Sequence, residues 1–351
     1  MKKVLIALAL FLSSFSVQAQ MGYEITIDLK NCNDTLAYLT FYRFDKTLIK
    51  DTCTTIKNGR IVFNGKTKLP KGIYSLVSQQ KSILFDFFID DDTQKLHLKS
   101  EYGPTISKDL TALNSDRENE FFNYIRFLGD QNKAFMEYKQ SHPLATKKDS
   151  LDLTNKQNEL EQSIADYENQ FINRFKGTFI ADVVNLKTEK KLKDIPKKAD
   201  GTPDYEVSYK YYKDNFWRNV DLKDDGMVHN PFLFNKLKTY LDNVVVKHPD
   251  SVCVEIDRIL AKSKPETLIY KLMLAHLTYT YETSKIMGFD KVFVHLSDNY
   301  FKTGKAKGIY DDDDVVQRII KRADKLKTLL IGAKAIDLSM IRAEDFSKMK
   351  A

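Results

Sequence analysis

"SDRENEFFNYIRFLGD", residues 115–130, is where the period of this chain changes. Ser115 and Glu118 have the spacing of a capping box, and Phe121, Tyr124, Ile125 and Leu128 recur on one helical face. A helix is therefore predicted to start at this point. Gly103 and Pro104 sit about a dozen residues earlier and mark the end of a different pattern.

That earlier pattern runs from Tyr23 to about Glu101, where β-branched and aromatic residues alternate between turn signals. "YEITIDLK" (23–30) alternates cleanly, and the turn "NCND" follows it. "TLAYLTFYR" (35–43) and "TLIKDTCTT" (47–55) read as a hairpin centred near Asp45, which would bring Cys53 opposite Ala37. "RIVFNG", "GIYSLVS", "SILFDFFID" and "KLHLKS" supply further short strands, the first after a turn at Lys57 to Gly59. Strands at this spacing, with no helical pattern between them, predict an antiparallel β-sandwich or small barrel.

Beyond residue 130 the helical period persists. "DSLDLTNKQNELEQSIADYENQFINRFKG" (149–177) places Leu160, Ile164, Tyr167, Phe171 and Phe175 on one stripe, with Gly177 as the stop. Pro196, Gly201 and Pro203 then interrupt the pattern in an exposed loop. Asn230 and Pro231 read as a cap and first residue, with Leu233, Leu237, Tyr240, Leu241 and Val244 facing inward. Amphipathic segments follow to about Leu330, which makes about seven or more helices without a solenoid repeat. The predicted fold class is α+β with segregated elements: a β-domain over 20–105 and an all-α helical domain over 106–330.

The two ends read differently. Lys2 and Lys3 precede a short apolar run ending in Val17-Gln18-Ala19, the pattern of a secretory signal peptide over 1–19 with cleavage between Ala19 and Gln20. No cysteine lies near that cut, so a lipid anchor is not expected. Losing Lys2 and Lys3 lowers the formal charge from +7 to +5, and the remaining bases alternate with acids. A nucleic-acid footprint would cluster them among aromatics, so that partner is excluded. With a mean hydropathy of −0.41, no membrane span is expected after signal removal.

Chemistry is sparse. His97, His142, His229, His248, His276 and His295 never take zinc-ligand spacing, and the runs Asp90–Asp92 and Asp311–Asp314 lack the alternation and glycine of a calcium loop. The first run reads as a solvated turn and the second as an acidic helix start. Neither a nucleophile elbow nor a phosphate-binding glycine loop occurs. Cys253 shares a stripe with Ile256 and Leu260 and reads as a buried hydrophobe, and Trp217 with Tyr211, Tyr212 and Phe216 reads as core. Cys32 and Cys53 are open to two readings, a disulfide across the sheet end or two free thiols. No catalytic residue, metal or cofactor is expected.

Phe63 to Gly65, Pro70 to Tyr74 and the Phe-rich strand Leu84 to Asp90 resemble the amino-terminal β-domain found ahead of thioredoxin-like proteins exported by certain Gram-negative bacteria. "NFWRNVDLKDDGMVHNPFLFNKLKTYLDNVVVKHPDSV" (215–252) and "YETSKIMGFDKVFVHLSDNYFKTGKA" (281–306) resemble the helical domain of unknown function that follows in them. The resemblance implies a redoxin domain after these two, opening with Gly-x-x-Ala-Pro-x-Phe-x-Leu. "IGAKAIDLSM" (331–340) matches it at Gly332 and Ala335, while Ile336 and Leu338 replace the proline and the aromatic, and Met340 takes the last apolar place.

Residues 331–351 therefore read as the start of a truncated thioredoxin-like domain or a C-terminal tail. Cys32, Cys53 and Cys253 cannot form the Cys-x-x-Cys that such redox chemistry needs. The expected role is a non-catalytic accessory or interaction region of a periplasmic thiol–disulfide protein, its partner a protein substrate or a redoxin domain. The alternative is a free-standing module of the cell envelope that captures a peptide or glycan.

Overall fold

A computed structural model describes residues 22–142, 146–189, 192 and 194–334 of the chain. The signal-peptide reading, with Ala19 and Gln20, lies outside the described residues, as do Ala335, Ile336, Leu338 and Met340. The fold is α+β: a region of two sheets over residues 23–112 is followed by helices.

Among the described residues eight strands are formed: β1 (Tyr23–Lys30), β2 (Ala37–Arg43), β3 (Lys46–Cys53), β4 (Arg60–Gly65), β5 (Gly72–Val77), β6 (Ile83–Ile89), β7 (Lys95–Glu101) and β8 (Thr111–Ala112). They make two four-stranded sheets, ordered β4-β1-β7-β8 and β3-β2-β5-β6. The β2–β3 hairpin has the expected register, with Ala37 opposite Cys53. One pairing departs from the expected antiparallel pattern, because β1 and β7 run parallel from Glu24↔Lys95 to Lys30↔Glu101. Parallel neighbours need a long crossover, and here it is the whole of β2 to β6.

Alternation explains the two buried faces. Ile25, Ile27, Leu29, Ile61, Phe63, Leu96 and Leu98 are all at most 2% exposed in the first sheet. Leu39, Tyr74, Leu76, Phe87 and Ile89 are fully buried in the second. Burying each such side chain contributes about 1.5–3 kcal/mol, and the Tyr23 hydroxyl donates to Asp51 across the sheets at 2.7 Å.

Among the described residues the α-helices are α1 (Asp116–Ser141), α2 (Lys147–Arg174), α3 (Phe179–Lys187), α4 (Tyr205–Asn215), α5 (Pro231–Thr239), α6 (Pro249–Leu260), α7 (Leu268–Glu282), α8 (Asp290–Leu296) and α9 (Asp313–Lys327). α1 starts at the predicted Ser115, whose Oγ accepts from Glu118 N at 3.3 Å. The reciprocal half of the capping box is absent, since the Glu118 carboxylate accepts instead from Phe88 N of β6 at 3.1 Å. Asn230 caps α5 as expected, its Oδ1 accepting from Phe232 N at 2.9 Å and Leu233 N at 3.1 Å. The acidic start at Asp312–Asp314 is the first turn of α9.

The chain divides into two compact units. One comprises the described residues up to 192 with 215–220 and 226–234, so the sheets share it with α1, α2 and α3. The other comprises 194–214, 221–225 and 235–334.

Within the first unit, the segment around His229 docks at the end of the second sheet. Val228 O accepts from Phe44 N at 2.6 Å, and His229 O accepts from Ile73 N at 2.8 Å. Gly72 makes this approach feasible, because a Cβ there would stand 2.5 Å from His229 Cβ. Gly72→Ala is expected to cost about 2 kcal/mol by overpacking, read as a lowered urea midpoint. A loss below about 0.5 kcal/mol, the scale of a neutral surface change, would show that this contact does not hold the segment.

Candidate functional site

Asp86 stands in the middle of an aromatic strand, "ILFDFFI". Alternation puts Phe85, Phe87 and Ile89 on the face toward the other sheet, and Asp86 and Phe88 on the opposite face. α1 packs on that opposite face, with the rings of Phe88 and Phe121 edge-to-face at 4.3 Å. Phe179 at the start of α3 meets Phe88 as well, at 6.0 Å.

Beside these contacts lies a pocket of about 250 Å³ lined by Ile73, Phe85, Asp86, Leu110, Phe121 and Phe122, among others. Ile83 and Ile125 belong to the same lining, and both remain substantially exposed, at 52% and 41%. Apolar walls with a few polar groups, here Asp86 and Ser107, are the usual composition of a binding site.

The anchor is Asp86. Ser75 Oγ donates to Asp86 Oδ1 at 2.5 Å, and the Tyr42 hydroxyl is a second partner. Burial pushes the carboxyl above its ordinary range, against the opposing pull of the two hydroxyls. Tyr42 is pushed up too, by burial first and by the negative charge of Asp86 second. A carboxyl so placed gains from any donor that enters the pocket.

The other chemistry-bearing residues have structural partners. Asp90 is more than a solvated turn: its Oδ2 accepts from Phe179 N at 3.1 Å and lies 3.6 Å from Arg117. Asp92 takes a second Arg117 nitrogen at 2.6 Å. A buried cluster joins three helices, with Tyr124 donating to Glu168 at 2.5 Å and Lys187 Nζ lying 3.1 Å from the Tyr124 oxygen.

Among the described residues, no group of three or more His, Cys, Asp or Glu is placed to hold a metal ion. His97 pairs with Asp28 at 2.7 Å, and His229 Nδ1 lies 3.0 Å from Lys71 O. In the second unit His295 contacts Asp257 at 2.9 Å, and Tyr300 donates to the same carboxylate at 2.6 Å.

All three cysteines are free. Cys32 follows the end of β1 in the first sheet, whereas Cys53 ends β3 in the second and directs its thiol to Thr55 O at 3.7 Å. Cys253 is buried on α6, one turn before Asp257. Burial, then the charges of Asp257 and Asp250, pushes its thiol up to about 11. Burial also raises the Cys32 thiol. Phe216 and Trp217 are buried, and their rings meet edge-on at 5.6 Å.

Sequence reasoning missed the Asp86 pocket. Its one signal was a charge at an interior position of a Phe-rich strand, which a solvent-facing side chain would also satisfy.

Residues 23–112 match the model of a domain of unknown function, DUF4369, and residues 145–309 match that of a second one, DUF5106. No curated protein and no solved structure matches the chain.

Proposed function

We propose that this chain is a non-catalytic interaction module of the bacterial cell envelope, exported and working beside a thioredoxin-like thiol–disulfide protein by holding a segment of a protein client. The observation that carries this reading is the Asp86 pocket. Its volume of about 250 Å³ falls below the roughly 300–1,000 Å³ of pockets for drug-sized ligands, so it is sized for a single side chain. The exposed Ile83 and Ile125 in its lining offer apolar surface to whatever enters.

Thiol chemistry supports the same reading. A thiolate is the attacking species in disulfide exchange, and the Cys253 thiol stays protonated at neutral pH when its pKa lies at about 11. The resemblance at Phe63–Gly65, Pro70–Tyr74 and Leu84–Asp90 is what suggests a redoxin partner. The pocket equally suits a free-standing module that captures peptides with no redox partner.

The purified chain is expected to reduce insulin no faster than dithiothreitol alone. Robust turnover without a partner would overturn the non-catalytic reading. Acceleration of a separate thioredoxin-like protein, seen only when the chain is added, would favour the accessory role over the free-standing one.

A further inference from the structure

We propose that the outer edge of β6 at Ile83–Asp86 takes up an extended peptide as an added strand, with a lysine of that peptide reaching Asp86 through the pocket. This deepens, and rests on, the capture of a protein segment proposed above.

The edge comes first. β6 is the terminal strand of its sheet and, among the described residues, has β5 as its only strand neighbour. Phe88 N points away from β5, because it bonds to Glu118 on α1. Backbone groups alternate in direction along an antiparallel strand, so Asp86, two residues earlier, directs its own N–H and C=O to the same outer side. Glu118 thus closes the edge at Phe88, and the open stretch begins at Asp86. Strand addition at such an edge draws affinity from main-chain hydrogen bonds and selectivity from a neighbouring pocket.

The pocket sits where that selectivity would act. A residue added opposite Asp86 carries its side chain on the same face of the sheet as Asp86. That face is the one on which Phe88 meets Phe121 of α1. The side chain therefore enters between β6 and α1, among Ile73, Phe121, Phe122 and Ile125.

Lysine fits this lining end to end. Its stem is apolar and its head a compact cation that settles on a carboxylate. Arginine fits less well, because a guanidinium fork prefers two open carboxylate oxygens. Here Oδ1 already accepts from Ser75, and Tyr42 is also bonded to the group.

The test is fluorescence anisotropy with the full chain and two fluorescein-labelled heptapeptides, acetyl-Thr-Val-Thr-Lys-Thr-Val-Thr-amide and the same peptide with norleucine for lysine. The lysine peptide is expected to bind about tenfold more tightly or better, the value of one charge-assisted hydrogen bond. Asp86→Asn keeps an acceptor for Ser75 and should erase that preference, with Trp217 fluorescence confirming an unchanged fold. Ile125→Ser changes an exposed residue, removes apolar wall without adding charge, and should weaken both peptides.

Equal affinity for the two peptides overturns the lysine recognition while leaving capture of a segment in place. No saturable binding of the lysine peptide by folded protein overturns the added strand, as does binding indifferent to Ile125→Ser. Insulin turnover by the chain alone would overturn the non-catalytic reading without altering any of these peptide results.

Discussion

Replacing Glu118 with glutamine is expected to make the first unit clearly more stable above pH 8 and to change it little below pH 4.5. Glu118 is 3% exposed, and its Oε1 accepts from Phe88 N while Oε2 has no hydrogen-bond partner among the described residues. Burial pushes the carboxyl from 4.5 up to about 8, against the smaller opposing pulls of that hydrogen bond and of Arg117. The folded state therefore holds a proton that the unfolded state has released between those two values.

For an acid whose folded pKa is raised, stability falls as pH increases. The group's contribution is fully present below about 4.5 and is lost as pH rises through about 8. At 1.36 kcal/mol per pKa unit, the loss is on the order of 5 kcal/mol. Glutamine keeps the acceptor for Phe88 N and carries no charge, so its stability should not slope in this window. Trp217 is the only tryptophan and lies in this unit, so urea unfolding followed by its fluorescence reads both proteins directly. Parallel stability–pH curves for parent and variant would exclude a buried, protonated Glu118.

The second large effect belongs to the other unit. Glu255→Ala is expected to destabilise it by about 3–5 kcal/mol, the usual result of removing one partner from a buried ion pair. Glu255 is 4% exposed; it accepts from the Tyr240 hydroxyl at 2.6 Å and pairs with Lys213 at 2.8 Å. Arg258 is 3.6 Å from Glu255 and 3.5 Å from Asp214.

Burial alone would raise the Glu255 carboxyl, but the hydrogen bonds from Lys213 and Tyr240, with the two positive charges, hold it below its ordinary value. This stabilisation is accordingly present above the unfolded pKa and disappears as pH falls through the lower folded one. Alanine deprives Tyr240 of this acceptor and Lys213 of its counter-charge. Hydrogen exchange of the α6 amides at pH 7 measures the cost. Protection unchanged within 1 kcal/mol would mean that the cluster is only surface decoration.

Much of the fold was legible because its signals are local. The change of period at Ser115, the hairpin that sets Cys53 opposite Ala37, and the Asn230 cap each depend on residues a few positions apart. The parallel pairing of β1 with β7 is different, since strand order emerges from closure of two sheets and no short window contains it. Glu118 shows the same limit at closer range. Its spacing from Ser115 is that of a reciprocal cap, yet a backbone N–H on β6 competes for the carboxylate and wins, because a buried donor left unmade costs about 1–3 kcal/mol.

Asp86 was illegible for a related reason. Its character depends on Ser75 lying opposite in register and on α1 covering that face, which are facts of assembly. The helical half carried no recognisable chemistry, and the partners of its His295–Asp257 pair sit 38 positions apart.

The placement of β1 between β4 and β7 also bears on how quickly the molecule can form. Its partners begin at Arg60 and Lys95, so as the chain is made from its N-terminus this strand waits for both flanks. Non-local pairings of this kind slow folding, because loop closure must precede the contacts that reward it. Until Lys95 to Glu101 arrive, Ile25, Ile27 and Leu29 form an apolar strand with an open edge, the kind of segment that associates with other chains. The first strand is thus the point at which a holding chaperone would be most useful to this protein.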